Sequence, residues 1–293
     1  MSTSKSAAPR SSVPIGRAGP VALVRRIATN LLRFLVVLTH SPRARPPRWK
    51  SGALTAIAAA VAVIVASMFF LDTAASAWAR HLPHGLVDFA DQITNFGLGG
   101  KFLYPLGFIL LCLAAIITPS LPRRTQGTLA ALAARFGFLF VAIGLPGLFT
   151  TTIKRLIGRA RPYVGVQDDP FAYMPFIWRP EYASMPSGHA TTATAAAIAI
   201  GAIWPRARAV MWLYALIIML TRVVINVHHP SDVIAGALVG VIGALLVRRW
   251  FAARRLVFSP EYLRVYPWPS FERLRTALRD VVSGPQRTND QFL

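Results

Sequence analysis

The sequence predicts an all-α, polytopic membrane protein with six transmembrane helices, and three observations predict it. Of the 293 residues, 54% are hydrophobic and only 15% charged, too apolar for a soluble domain of this length. The apolar residues fall into runs of bilayer-spanning length rather than into amphipathic stripes. The formal charge of +21 is concentrated beside those runs: residues 1–50 carry ten Lys or Arg and no acid, and Arg248 to Leu293 holds nine more Arg. Basic clusters flanking apolar spans mark a cytoplasmic membrane face. No nucleic-acid motif accompanies them, so a nucleic-acid partner is not expected. Anionic lipids of the inner leaflet are the expected partners of the basic termini.

The elements follow in order. Residues 1–20 are rich in Ser, Pro, Ala and Arg and read as disordered. Val21 to Thr39 is apolar but broken by Arg25, Arg26 and Arg33, which predicts a basic helix lying in the membrane interface. Pro42, Pro46 and Pro47 separate it from the first span, Gly52 to Leu71. Ala75-Ser76-Ala77 resembles a signal-peptidase site, but the apolar run before it is long for a signal peptide, so an uncleaved anchor is expected. Asp72 to Lys101 reads as an outer loop, with His81 and His84 solvated. The second span is Phe102 to Thr118, and the third is Leu129 to Phe149, with Arg135 near its start and Pro146 expected to kink it. The fourth, Ala190 to Trp204, is dense in Ala, Thr and Gly, a small-residue surface suited equally to internal packing or to a dimer. The oligomeric state therefore stays open. The fifth runs from Val210 to about Ile225 and the sixth from Asp232 to Val247. In the tail, Phe271, Leu274, Leu278 and Val281 fall near helical spacing, leaving a short amphipathic helix and a frayed coil as alternatives. The domain organisation is thus a basic segment 1–50, a six-span unit 51–250 and a basic tail 251–293.

Loop charge sets the orientation. Segments 1–50, 119–128, 205–208 and 248–293 hold 23 Lys or Arg, against two in Asp72 to Lys101, which predicts cytoplasmic termini. The segment from Thr150 to His189 then lies outside although it is basic, and a basic stretch on that side asks for a local reason. The single cysteine, Cys112, sits in an apolar run and offers neither an intrachain disulfide nor a metal site.

Three polar stretches supply that reason: Lys154 to Pro162, Pro186-Ser187-Gly188-His189, and Arg222 with His228 and Asp232. Helix counting brings all three to the outer ends of spans three to six. Lys154, Arg161 and Arg222 are cations that grip phosphate oxygens. Ser187 and Gly188 precede a helix whose free N–H groups favour an anion. His189 and His228 can divide nucleophilic and acid roles, and Asp232 can fix one imidazole's tautomer. Pro230 makes a regular helix from His228 to Asp232 improbable, so that contact is expected from a turn. This set suits a dianionic phosphate and demands no metal.

At these residues the chain resembles the type 2 phosphatidic acid phosphatase (PAP2) superfamily, whose pattern is Lys-x6-Arg-Pro, Pro-Ser-Gly-His and Ser-Arg-x5-His-x3-Asp. Lys154 to Pro162, Pro186 to His189, and Arg222, His228 and Asp232 match it in order and spacing; Thr221 stands where the family usually has Ser. The resemblance spans about Lys154 to Asp232. It implies the PAP2/haloperoxidase-like helical core and a phosphatase needing no cofactor and no metal. His228 would form a phosphohistidine, with Asp232 orienting it. His189 would protonate the leaving oxygen and then activate water. Lys154, Arg161, Ser187, Gly188 and Arg222 would hold the phosphoryl oxygens. The implied substrate is a lipid or polyprenyl phosphate or pyrophosphate at the periplasmic face of a bacterial inner membrane: undecaprenyl pyrophosphate, phosphatidylglycerol phosphate, phosphatidic acid or a lipid A phosphate. A phosphotransferase on the same fold is the alternative the motifs leave open. A transporter would place ionisable groups at mid-span; here they cluster at one face, and only Arg135 sits within a span. Arg159 is beside the site but outside the pattern, His229 reads as structural, and Arg155, Arg248 and Arg249 as snorkelling anchors. Asp168, Asp169 and Glu181 read as surface charges, and Tyr163, Trp178 and Tyr182 as interface aromatics.

Overall fold

The structure, a computed structural model, describes residues 19–47, 49, 51–164 and 169–283. Residues 1–18, expected to be disordered, and Asp168 lie outside the described residues. The described chain is all-α: α1 (Pro20–Thr39), α2 (Ala53–Phe70), α3 (Asp72–Arg80), α4 (His84–Thr94), α5 (Gly99–Ile116), α6 (Arg123–Ile157), α7 (Gly188–Ile203), α8 (Arg208–Val224), α9 (Pro230–Ala253) and α10 (Phe271–Ser283).

Every predicted span has its helix, with two corrections. Among the described residues, five helical stretches are long and apolar enough to cross a bilayer, but α7, the fourth expected span, has only 16 residues. At 1.5 Å per residue that is about 24 Å, short of a hydrocarbon core of roughly 30 Å. The reason is its place: α7 is packed by α6, α8 and α9, and most of its Ala and Thr side chains are buried. A helix wrapped by its neighbours has no need to match lipid thickness. Its small residues therefore serve internal packing. The third expected span is longer than read: α6 is one 35-residue helix running through Pro146 and carrying Lys154 in its last turn. Pro146 packs where Gly243 leaves room, since a Cβ there would lie 2.5 Å from the Pro146 ring.

The contact between α7 and α9 is the most extensive in the bundle, and glycine makes it possible. A Cβ on Gly236 would lie 2.4 Å from Ser187 O, and one on Gly240 would lie 2.2 Å from Thr194 Oγ1. Hydroxyls then tie the helices together without charge: Thr191 Oγ1 donates to Gly236 O at 3.0 Å and lies 3.0 Å from Thr150 Oγ1. An apolar core of Phe138, Ile143, Ala199, Phe251 and Phe258 fills the other half of the bundle.

The predicted outer loop from Asp72 to Lys101 is a correction of greater consequence, because it is mostly the helices α3 and α4. His81 and His84 are exposed, but Asp72 is fully buried. At the opposite end, α1 forms where a basic helix was expected and closes α5. Arg26 Nη1 donates to Ala115 O, and Asn30 Nδ2 donates to Ala114 O and Ile117 O, satisfying carbonyls that a helix end leaves open. The tail forms α10, whose Ala277 is buried and whose Val281 packs near Leu113, Leu121 and Leu129. Phe271 and Leu278, two of the four positions read as its apolar face, are exposed. Both described termini lie at this end, α1 leading to Arg43, whose N–H reaches Ala253 O at the end of α9, and α10 tied through Asp280 to Thr125 at the start of α6.

Candidate active site

The three sequence stretches meet at one end of the bundle, and local geometry explains how. Helix α6 stops at Gly158, whose φ of 65° is left-handed. A side chain there would drive its Cβ to 1.9 Å from Met174 O, so glycine is required twice over, by conformation and by space. The chain then runs extended. Ala160 N–H donates to Ala172 O, Arg161 N–H to Glu181 O and Ser184 N–H to Arg159 O. These bonds pin the long segment between α6 and α7 across the site.

Ser187 caps α7 from outside, and its N–H donates to Asp232 O at 2.9 Å, joining the second stretch to the third. Gly188 opens α7 with Lys154 Nζ 3.9 Å from where its Cβ would be. His189 follows, under Gly97 and within the electrostatic reach of Arg222, His228, Lys154 and Arg161. Arg222, in the last turn of α8, is buried and donates through Nη1 to Thr94 Oγ1 at 2.9 Å. Its Nε, the Nε of Arg161 and the Oγ of Ser187 are buried polar atoms without a hydrogen-bond partner. Such atoms are costly in a folded core and are ordinarily explained by a ligand or water. These three lie on residues chosen from the sequence as phosphate-gripping; the Nε atoms of Arg135, Arg248 and Arg254, at the other end of the bundle, are unpartnered in the same way.

His228 sits in the turn between α8 and α9, and His229 is the N-cap of α9. Asp232 is the third residue of that helix and reaches back, its Oδ2 accepting the His229 N–H at 2.9 Å. The expected direct hydrogen bond from His228 to Asp232 is replaced by a longer approach. Nδ1 lies 3.7 Å from Asp232 Oδ2, and Ser184 stands between them. Its Oγ donates to Asp232 Oδ2 at 2.5 Å and lies 3.4 Å from His228 Nδ1. The hydroxyl thus relays the imidazole N–H toward the carboxylate. His228 is almost fully enclosed, and its pKa is pushed down to about 4; burial is the larger cause, with Asp232 opposing it. The ring is therefore neutral near pH 7, the form a nucleophile needs. His229 is also held down by burial, with its Nδ1 3.4 Å from Ser76 Oγ, a buried structural position.

Behind Asp232 lies a group that the motif spacing did not single out. Arg159 is completely buried. Its Nη1 donates to Asp232 Oδ1 at 2.6 Å and to Ser231 Oγ at 2.7 Å, its Nη2 to Asp72 Oδ2 at 2.7 Å, and its Nε to Pro170 O at 2.9 Å. Burial works against its charge, but Asp232 and Asp72 outweigh that and raise its pKa. Asp72 also accepts the Ser231 N–H at 3.0 Å and the Ser231 hydroxyl. Removing one member of a buried ion pair typically costs about 3–5 kcal/mol, because the other is left unpaired. Sequence reasoning missed Asp72 and Ser184 because neither has a fixed spacing to the motifs. The one available signal was Asp72 as an acid at the very end of an apolar span. Asp169 and Glu181 are exposed; the acid in the field of Arg222 is Asp91 of α4.

Among the described residues, no three His, Cys, Asp or Glu are grouped as a metal site. The PAP2 superfamily model matches residues 135–256. A lipid A 1-phosphatase of Rhizobium johnstonii is 32% identical over 235 residues, covering 79% of this chain and 92% of that protein. A lipid A 1-phosphatase of Rhizobium etli is 30% identical, covering 78% and 95%. A decaprenylphosphoryl-5-phosphoribose phosphatase of Mycobacterium tuberculosis is 33% identical over 165 residues, covering 55% and 79%. A likeness of this extent, covering nearly the full length of the two Rhizobium relatives, identifies the chain as a member of the PAP2 superfamily.

Proposed function

We propose that this PAP2-type lipid phosphatase removes the 1-phosphate of lipid A, or a closely similar lipid-linked sugar phosphate, at the outer face of a bacterial inner membrane. The observation that carries the hydrolase reading is the convergence of His228, His189 and three cations at one end of a multi-pass bundle. The substrate class rests on the near full-length likeness to the two lipid A 1-phosphatases. The outer placement of the site rests on the basic termini gathered at the opposite end.

The chemistry follows from which atoms are free. Nδ1 of His228 faces Ser184 and Asp232, so Nε2 is the nitrogen left to attack phosphorus. Burial and the surrounding cations hold His189 neutral in the empty site, so it takes up its proton as the phosphate dianion binds; as the N–P bond forms, the bond from phosphorus to the lipid oxygen breaks, and His189 gives that oxygen this proton. Neutral His189 then takes a proton from water, whose oxygen attacks the phosphohistidine and returns Nε2 to its free form. Lys154, Arg161, Arg222, Ser187 Oγ and the Gly188 N–H hold the three phosphoryl oxygens, on which charge gathers in the transition state. Arg155 and Trp178, the guanidinium 5.9 Å from the ring centroid, stand at the rim, where a headgroup would enter.

The test is phosphate release from detergent-purified protein in EDTA, over a panel of lipid A, undecaprenyl pyrophosphate, phosphatidylglycerol phosphate and phosphatidic acid. Lipid A should be the best substrate, with release lost in His228→Ala. Release that survives this substitution would overturn the histidine mechanism. Turnover that appears only with an acceptor lipid would replace hydrolysis by phosphoryl transfer.

A further inference from the structure

The Arg159 network reaches beyond the three motifs to a residue of the first outer segment. Asp72 opens α3, outside the 135–256 stretch matched by the family model. It is nonetheless fully buried and shares Arg159 with Asp232, the carboxylate behind the nucleophile. Charge makes this arrangement more than a brace. Arg159 alone would neutralise Asp232, taking Oδ1 in a 2.6 Å ion pair and weakening the carboxylate as an acceptor on its other oxygen. With Asp72 added, one guanidinium is divided between two carboxylates, and the buried group keeps a net charge of about −1. In a low-dielectric setting that charge acts strongly over the short path to His228.

We propose that Asp72 and Arg159 are positioning residues for the nucleophile: Arg159 fixes Asp232, and Asp72 restores the negative charge that Arg159 would otherwise cancel at His228. The proposal rests on the reading of His228 as the group that forms the phosphohistidine. When its Nε2 bonds to phosphorus the ring becomes cationic, with its proton on Nδ1. The restored charge, passed on through Ser184 and Asp232, stabilises that state. The same field faces opposition from Arg222 and Arg161, the two cations felt by His228 from α8 and the outer segment. His229 and Arg159 are the other charged or titratable neighbours of Asp232, His189 faces His228 from α7, and Tyr173 adjoins Arg159. Asp72 is the acid that offsets Arg159 from outside α9.

The test compares full-length, detergent-purified Asp72→Asn, Arg159→Gln and the double variant with wild type. Each enters only as monodisperse protein with a measured melting temperature. Asp72→Asn takes the buried group from −1 to neutral. It should lower kcat about 10- to 100-fold with KM within about threefold, the mark of an interaction made in the transition state. It should also move the acid limb of kcat/KM to lower pH, since less negative charge holds a proton on His228 less well. Arg159→Gln takes the group to −2 and should move the same limb to higher pH. The double variant restores −1, so its limb should return toward wild type and its kcat should exceed that of Asp72→Asn. A merely structural role predicts unshifted limbs and a double variant no better than the worse single one, and that result would overturn the proposal. Should Asp72→Asn not be recoverable as folded protein, the direction of the Arg159→Gln limb decides alone: upward supports the proposal, and no movement or a downward shift ends it. If His228→Ala keeps its activity, the underlying reading fails first, whatever these variants do.

Discussion

Both ends of this bundle are rich in arginine, yet they use it in opposite ways. At the site end, Arg159 is locked between two carboxylates, and Arg222 donates to the Thr94 hydroxyl. At the far end, arginines satisfy backbone carbonyls and lie over aromatic rings. Arg135 donates to Tyr266 O and Pro267 O with its guanidinium 4.9 Å from the Trp268 ring. Arg248 bonds Leu263 O and faces Phe258; Arg249 bonds Pro47 O and lies 4.7 Å from Trp49. Arg254 lies 4.2 Å from Trp250. Carbonyls and rings hold a guanidinium in place without cancelling its charge. The far end thus keeps its positive charge, and it includes a cavity of about 970 Å³ lined by Arg123, Arg124, Arg135 and Arg273. The lesson is that arginine density alone identifies neither end; its partners do.

Substitutions at the two ends should separate these uses. The largest effect belongs to His228→Ala, expected to lower kcat by about 10³-fold or more and to abolish a trapped phosphoenzyme, because the covalent route is gone. Next is Arg222→Ala, expected to cost about 10²- to 10³-fold through lost stabilisation of phosphoryl charge; a loss confined to KM would place it in ground-state binding instead. Ser184→Ala removes the relay between His228 and Asp232, and about a tenfold loss in kcat is expected, in line with the lower range for acid–base positioning. An unchanged rate would mean that the 3.7 Å approach of His228 to Asp232 suffices by itself.

The pH dependence sharpens the contrast. His228 is neutral in the fold with a pKa of about 4, against 6.5 for the free side chain. Between those values the unfolded chain binds a proton that the folded chain refuses, so stability rises with pH there. This contribution is complete above about pH 6.5 and is lost as pH falls toward 4. Melting curves from pH 7 to 4.5 should therefore fall less steeply in His228→Gln than in wild type; equal slopes would remove His228 as the cause. The smallest effect is expected at the far end. Arg249→Ala should cost about 0.5–1 kcal/mol from the lost contact with Trp49 and leave kcat unchanged within about twofold. A loss of activity there would break the division between the two ends.

Much of this was legible from residues alone, and for a physical reason. Apolar runs must become helices in a bilayer, since no other local structure satisfies the backbone there, so α2, α5, α6, α8 and α9 follow from composition and length. That Lys154, Arg161, Ser187, His189, Arg222, His228 and Asp232 come to one end of the bundle was legible because helix ends hold them at fixed offsets, and fixed offsets survive in a linear pattern. What the tertiary structure alone decided lacks any such offset. That α7 is an enclosed helix of 16 residues depends on the neighbours that wrap it. That Asp72 and Ser184 stand beside Arg159 and Asp232 depends on α3 and the segment between α6 and α7 folding over α9, contacts between residues 87 and 48 positions from their partners. Sequence sets what each helix is; through-space packing decides which charges share a buried site, because Coulomb energy depends on distance in the fold and not along the chain.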